Sequence, residues 1–565
     1  MGDIMDKKKK KNSAAKNAEE ITEDVSLVSE KKSEVIEHSI VTIISVILLI
    51  VASFIKGNDD VARWLYTVSF VAAGYEILYS VIVKLSKKEV IIEEIAVIAG
   101  SLVLLYSGYG QYACLIIIAY TLVALSKKAF EYIALNKSEK LSIAAGYESD
   151  DEIKTSFVVR AENLKTILEE TPDSRVYEKK FKLIFGIAGI VIGLVLTFIP
   201  PIFAKNGYVD ALKDKWLICG AIVISLWQLS SVCVFSTLNY IAGFMAADKY
   251  AATFGSFAAI DKFSAATEIA FDGAGVLTDK SLTINSVDST NAEKVLSVLY
   301  SLENDIDEYI KSAISVYAKN NGITLDVIPF ENVKWLETLG VTADFNGERY
   351  VAGNKKLLKS VFDISVEDDS AESVIYVAKE GSVIGKINYN RIDKVNVKGE
   401  IKELTDDIGM TSSLLSADKV SVVNAMKEKL GLDKAIAGAS SKYKADYVKK
   451  SNAMYVGDSE YDAETIKLLD GACVSAGGNK VYQNGLTVSG RDVRQIPVAV
   501  KIAGRTVKKK KFITLFTAIL KAAAIVSGVV LFAVKGKYIW LPILCCIATD
   551  LIAFFSAATN LTDPA

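Results

Sequence analysis

Histidine is almost missing from this 565-residue chain. His38 is its one imidazole, so a histidine-built metal site and a histidine general base are both excluded. Cysteine is sparse and unpaired in sequence: Cys114, Cys219, Cys233, Cys473, Cys545 and Cys546 form no CxxC pair, which argues against a disulfide framework or a zinc cluster. Most of them lie in apolar runs and read as small core residues. A large net charge is lacking as well, at −2 for the whole chain. Nothing in the sequence is a nucleic-acid signature, and nothing calls for haem, flavin or a nicotinamide. A cleaved leader is not expected, because a polar stretch precedes the first apolar run and no small-residue cleavage site follows it.

What is abundant is apolar surface. Half of the residues, 51%, are hydrophobic, which points to the membrane class. Apolar stretches able to cross a hydrocarbon core of about 30 Å are expected near 39–55, 61–83, 89–107, 111–126, 182–204, 216–246, 511–534 and 537–558. An eight-span count puts the basic segments Lys7–Lys11, Lys84–Lys88, Lys127–Lys140 and Lys508–Lys511 on one side, as the positive-inside rule asks. A multi-pass protein of a bacterial plasma membrane with both termini cytoplasmic is therefore expected. The Lys7–Lys11 run reads first as a solvated tail and second as a contact for anionic lipid.

Two connections are long, about 55 residues after the fourth span and about 265 after the sixth. The larger opens on ATEIAFDGAGVLT, an apolar strand entering a glycine-rich turn, and later carries AMYVGDSEYDAETIKLLDGACVSAG, a strand, an acidic loop and a helix. Acidic residues at the carboxyl ends of two parallel strands stand where a doubly wound sheet places its ligands. Residues 293–388 between them, with the Asn-Gly turn of ADFNGERYVAGNKKLL, read as an inserted domain.

This order of spans and loops, with a strand ending in Asp272, resembles the heavy-metal P-type ATPases over nearly the whole chain beyond residue 35. The stretch AGYEILYSVIVKL, and Lys521 with Asp550 in the last two spans, look like the zinc, cadmium and lead class. Charges inside lipid-embedded helices are costly unless paired or functional, so Lys521 and Asp550 mark either an ion path or a pair that fixes packing. The implied fold is an α-helical membrane bundle of eight transmembrane helices plus a cytoplasmic α/β haloacid-dehalogenase-like domain with an inserted α+β nucleotide-binding-like domain. The implied limits are 1–38 for a basic tail, 39–126 for spans one to four, 127–181 for a truncated actuator-region loop and 182–246 for spans five and six. A phosphorylation-like domain follows over 247–292 and 389–507, a nucleotide-binding-like domain over 293–388, and spans seven and eight over 508–565.

The family's phosphorylated aspartate, in DKTGT, matches Asp272, while its lysine is replaced by Gly273 and its last threonine by Val276. YVGDSEYDA matches GDGxNDA, so Asp272, Asp458 and Asp462 are the implied Mg²⁺ carboxylates, with the Ala274 carbonyl as a further oxygen donor. Lys444 matches the core lysine that stabilises the transferred phosphoryl group, and Ser416 of Ser416-Ala417-Asp418 keeps the hydroxyl of TGD. In the insertion, the adenine-lining His-Pro pair reads Glu308-Tyr309 and the first glycine of the GxG turn reads Thr338. Gly340, Gly353 and Asn354 are retained as nucleotide-binding positions. A glutamate there weakens the expected affinity for anionic ATP. No Thr-Gly-Glu occurs in 127–181, and the metal-binding Cys-Pro-Cys reads Leu229, Ser230, Ser231, with Cys233 as a substitute thiol for the transport path. The tail lacks a CxxC metal-binding module. The first reading is thus a family member impaired in ATP-driven metal transport that keeps Mg²⁺ or phosphate binding. The second is an active exporter of a divalent metal ion, and the third is a non-catalytic scaffold or regulator with a membrane-protein partner.

Overall fold

The computed structural model describes residues 2–55, 57–86, 91–169, 176–205, 207–227, 230–304, 306–336, 339–367, 372–477, 480–489 and 493–562; for 2–26, 152, 169, 176–182, 214, 230 and 280 it describes the backbone alone. Thr338 and Leu229 lie outside the described residues. The chain divides into two units, Met1–Lys249 with Ile502–Ala565, and Tyr250–Lys501.

Apolar side chains on every face make the first unit helical, since a backbone in hydrocarbon must satisfy its own hydrogen bonds. Its helices are α1 (Gly2–Phe54), α2 (Asp59–Ser86), α3 (Ile92–Tyr106), α4 (Gly110–Tyr147), α5 (Asp151–Glu169), α6 (Val176–Phe198), α7 (Tyr208–Ala211), α8 (Leu217–Leu226) and α9 (Ser230–Asp248). Gln495–Lys535 and Trp540–Ala558 follow as α18 and α19, after the eight helices of the second unit. Val97, Leu104, Ile117, Ile222, Ile525 and Phe532 form the centre of this bundle, while Ile43, Ile47, Val71, Ile82 and Leu515 face outward, as lipid-facing residues do.

Among the described residues seven helical segments are long and apolar enough to cross a membrane: Leu27–Phe54, Asp59–Ser86, Gly110–Tyr147, Leu183–Phe203, Leu217–Asp248, Gln495–Lys535 and Trp540–Leu561. The third expected span falls on α3, which has only 15 residues. Its rise of about 22 Å is short of the hydrocarbon thickness. A turn through Gly108, at φ +87°, follows it directly. Helix α4 runs on past the expected end of its span, and α5 returns beside it. There the buried Ser138 hydroxyl donates to the Ala161 carbonyl at 2.8 Å. Arg160 Nε donates to Asp248 Oδ1 at 2.7 Å, and Lys137 Nζ lies 2.6 Å from Asp248 Oδ2, so both helices are tied to the end of α9.

The second unit runs β1 (Ala252–Phe254), α10 (Phe257–Ala265), β2 (Glu268–Phe271), β3 (Thr278–Asp288), α11 (Ala292–Leu302), α12 (Glu308–Asn320), β4 (Glu331–Leu336), β5 (Gly340–Phe345), β6 (Glu348–Gly353), α13 (Lys355–Phe362), β7 (Ser373–Lys379) and β8 (Ser382–Asp393). It continues with α14 (Val397–Lys402), β9 (Thr411–Leu415), α15 (Val420–Leu430), β10 (Lys434–Ile436), α16 (Ser441–Ser451), β11 (Met454–Asp458), α17 (Ala463–Leu468), β12 (Val474–Ala476) and β13 (Leu486–Val488). Two sheets result. The first has the order β1-β13-β12-β11-β2-β9-β10 and is parallel apart from β1. Its central strands are buried on both faces, and their near-continuous apolar sequences follow from that. The second is the antiparallel sheet β3-β8-β7-β6-β5-β4, with α11 and α12 contributing Leu296, Leu299 and Ile314 to its core. Strands β3 and β8 carry the chain into and out of the insertion and belong to its sheet.

Candidate functional site

Strands β2 and β11 lie side by side and parallel, so the residues that follow them emerge together at the carboxyl edge of the sheet. Asp272 leaves β2, with its N–H on the Val456 carbonyl at 2.9 Å, and Asp458 ends β11. Both are buried, at 5% and 0% exposure. The turn after Asp272 needs glycine: Gly275 has φ +76°, and a Cβ there would sit 2.9 Å from the Asp458 carboxylate. Ser416 follows the neighbouring β9, and its Oγ would lie 3.4 Å from a Cβ placed on Gly273.

Lys444, on α16, joins the acids. Its Nζ donates to Asp272 Oδ1 at 2.9 Å and to Asp462 Oδ1 at 3.1 Å, at 4% exposure. Burial lowers the lysine pKa, but the two carboxylates more than offset this and hold the ammonium charged. Burial pushes the Asp272 carboxyl up to about 6, against the pull of Lys444 and with repulsion from Asp462 adding to the rise. At neutral pH Asp272 is therefore an ionised carboxylate held by one cation. Gly273 N–H also donates to Oδ1, at 2.9 Å, so this bond and the one from Lys444 fall on one oxygen.

Asp462 is bonded through both oxygens. Its Oδ2 accepts from the Tyr455 hydroxyl and its Oδ1 from Thr465 Oγ1 at 2.7 Å as well as from Lys444. Among the described residues no group of three or more histidine, cysteine, aspartate or glutamate side chains is disposed to hold a metal ion. Tyr455 and Thr465 escaped the sequence reading, although their spacing of seven and three residues from Asp462 was available to it.

Ser416 Oγ donates to Asp418 Oδ2 at 2.9 Å and accepts from the Asp418 N–H at 3.1 Å, so the hydroxyl is fixed above Gly273. Two basic residues from the end of β8 also reach this edge and were not foreseen. Lys394 Nζ donates to the Gly275 carbonyl, and the Arg391 guanidinium lies 5.7 Å over the ring of Tyr461, in the acidic loop.

In the inserted domain, Gly340 and Gly353 face each other in the β5–β6 ladder. A Cβ on Gly340 would come within 2.2 Å of the Ala352 carbonyl, and one on Gly353 within 2.2 Å of the Leu339 carbonyl, so strand packing accounts for both. Asn354 caps α13, accepting from the N–H groups of Lys356 and Leu357. Glu308 opens α12 and lines a cavity of about 470 Å³ with Asn304, Ile306, Lys311, Ser312 and Ser315. The structure does not assemble Gly340, Gly353 and Asn354 into that cavity's wall.

In the membrane unit Lys521 and Asp550 do meet, with Lys521 Nζ 2.7 Å from Asp550 Oδ1. The third member is Ser231, whose Oγ accepts from Lys521 at 2.6 Å. Cys233 is buried two residues further along α9. A second, part-buried polar group links α1, α2 and α4: His38 pairs with Glu76, and Lys128 Nζ lies 3.0 Å from His38 Nε2 and 3.2 Å from Glu34.

No family model matches the chain. Curated relatives include a probable cadmium-transporting ATPase of Alkalihalophilus pseudofirmus, 21% identical over 413 residues, 69% of this chain and 55% of that protein. A cadmium, zinc and cobalt-transporting ATPase of Helicobacter pylori is 22% identical over 381 residues, 64% and 53% of the two chains. A copper-transporting ATPase of Helicobacter pylori is 24% identical over 307 residues, 51% and 41%. The chain spans about half the length of the curated relatives it matches. Among solved structures, a zinc-transporting PIB-type ATPase in its E2.Pi state superimposes with a TM-score of 0.56 at 15% identity, covering 93% of this chain and 100% of that one, a likeness of fold.

Proposed function

We propose a function from one premise, that this chain belongs to the heavy-metal-transporting P-type ATPase family: it is an integral membrane protein in which ATP-driven metal transport is impaired and phosphate recognition at Asp272 is retained. The observation that carries this reading is the closure of Lys521 by Asp550 and Ser231. Soft thiolates hold Zn²⁺ and Cd²⁺ well, whereas a neutral serine hydroxyl already bonded to an ammonium group is a hard, uncharged donor with a cation beside it. A neutral Lys–Asp pair there fixes helix packing.

The cytoplasmic edge keeps more of its chemistry. Asp272 is ionised at neutral pH, and Lys444 beside it supplies the positive charge that a tetrahedral phosphate requires. Ser416 is fixed where its oxygen can meet a phosphate oxygen. If phosphoryl transfer survives, an Asp272 oxygen attacks the γ-phosphorus in line, the bond to the β–γ bridging oxygen breaks, and ADP leaves with that electron pair. Asp272, Asp458 and the Ala274 carbonyl are the oxygen donors left for Mg²⁺, which would offset charge on the phosphate. In this reading the parallel sheet is a haloacid-dehalogenase-like core, α3 is a short eighth crossing, and both termini are cytoplasmic in a bacterial plasma membrane. The α4–α5 hairpin takes the place of an actuator domain, so a phosphoenzyme lacks its hydrolytic partner.

A second reading, an active exporter, is favoured by one observation, the intact Asp272–Lys444–Asp462 linkage. The test uses detergent-purified protein with γ-labelled ATP and Mg²⁺ beside Asp272→Asn, and Zn²⁺ or Cd²⁺ uptake in vesicles. Label absent from Asp272→Asn, long-lived in the parent and unaccompanied by uptake is the expected result. ATP-dependent uptake that Asp272→Asn abolishes would establish the exporter instead.

A further inference from the structure

Arg391 is held at a junction of four segments. It stands two residues before the end of β8, opposite Leu282 of β3, at the exit from the inserted domain. Its guanidinium lies over Tyr461 in the loop that carries Asp458 and Asp462, and its charge is felt by Tyr389, by Asp418 in the loop after β9, and by Asp307 at the cap of α12. Tyr461 in turn places its hydroxyl 3.4 Å from Asp307 Oδ2, and its N–H donates to Asp458 Oδ1 at 3.1 Å. The two loops beside Arg391 are thus the two that flank Asp272. Arg391 Nη1 is buried and has no hydrogen-bond partner among the described residues. A guanidinium carries five donors in a fixed fork, and a buried donor left unpaired is rare enough to require a reason.

The charge inventory supplies one. Gly273 leaves the loop after Asp272 without a cation of its own and opens space beneath Ser416 Oγ. Lys444 spends its bonds on Asp272 and Asp462, and Lys394 spends one on the Gly275 carbonyl. We infer that Arg391 is an anion-binding residue that donates Nη1–H to a tetrahedral oxyanion seated at Asp272 and Ser416. The inference rests on the phosphate-recognition reading above and adds to it a residue from the hinge of the inserted domain. Planar guanidinium donors suit phosphate oxygens, and the acid-rich surroundings, Asp307, Asp418 and Asp458, require divalent cation with the anion.

The experiment measures binding of beryllium fluoride, in the presence of Mg²⁺, to the full-length protein in nanodiscs by ¹⁹F NMR. The parent is compared with Arg391→Gln, Arg391→Lys, Arg391→Ala with added ethylguanidinium, and Lys444→Met. Thermal unfolding shows which variants are folded. Expected is a loss of ten- to a hundred-fold in affinity for Arg391→Gln, a partial loss for Arg391→Lys, and recovery of Arg391→Ala by ethylguanidinium. If the parent and Arg391→Gln bind equally well while Lys444→Met does not bind, Arg391 is a structural residue and this inference alone fails. A folded parent that binds no beryllium fluoride overturns the phosphate-recognition reading together with this one. Should Arg391→Gln fail to fold, an Arg391→Ala protein that folds but is not rescued overturns the assignment equally.

Discussion

Lys444 is the residue on which the acidic edge depends electrostatically, since one buried ammonium group bonds two buried carboxylates 172 and 18 residues away in sequence. Removing one partner of such an arrangement leaves uncompensated charge, a loss of about 3–5 kcal/mol. Lys444→Met is therefore expected to lower the unfolding midpoint of the Tyr250–Lys501 unit sharply in denaturant titration. Lys444→Met combined with Asp462→Asn should recover part of the loss. Glu303 gives a pH signature. It is buried beside Asp307, and burial together with that like charge pushes its carboxyl up to about 8. A folded pKa above the unfolded value near 4 means that this contribution to stability is complete in acid and is lost progressively as pH rises from about 4 through about 8. Hydrogen exchange of α11 amides should accelerate between about pH 4 and 8 in the parent, beyond the intrinsic rise, and level off above, and the excess should vanish in Glu303→Gln. A parent and variant with the same excess would disprove the assignment. Asp272 and Asp458 were legible in the sequence because each ends an apolar strand run, and Lys444 because its surroundings match a motif. Arg391, Tyr455 and Thr465 were not, because their significance lies in what the fold brings beside them.

At the level of elements, α5 is held by a polar contact rather than by a wide apolar face. Arg160 reaches Asp248 through three bonds, including Nη2 to the Asp248 carbonyl at 2.8 Å, and Lys137 donates to the Met245 carbonyl. Asp248 is 3% exposed. Asp248→Ala should strand Arg160 and Lys137 and release α5, read as new protease cleavage within 151–169 with little change in the rest of the bundle. Cleavage equal to the parent's would show that apolar contacts such as Leu164 and Ile167 suffice. The helical character of 127–181 was only partly readable: the sequence showed a helix leading into the next span, but the partner of Arg160 lies 88 residues away. The third expected span, near 89–107, falls on a helix of 15 residues that ends at Tyr106, just before the turn through Gly108.

For the whole molecule, the sequence conveyed the class of architecture, a helical bundle and an α/β domain with an insertion, through apolar run length and strand-loop-helix order. It could not convey whether Lys521 and Asp550 serve transport or packing, because Ser231 completes their contact from 290 residues away. A double-mutant cycle on Lys521→Met and Asp550→Asn in a reconstituted membrane should show a coupling of about 1–3 kcal/mol in unfolding. Single variants should be less stable than the double variant. Additive effects would mean that the pair contributes nothing to packing.

Helix α4 has 38 residues, a rise of about 57 Å, so a bilayer core of about 30 Å covers little more than half of it. The remainder, braced by α5 and tied to the end of α9, acts as a lever whose fulcrum is at the membrane surface. A tilt of only about 5° inside the lipid sweeps its far end by roughly 2 Å. Changes in bilayer thickness, which helices answer by tilting, are thereby converted into displacement at Asp248, the end of α9.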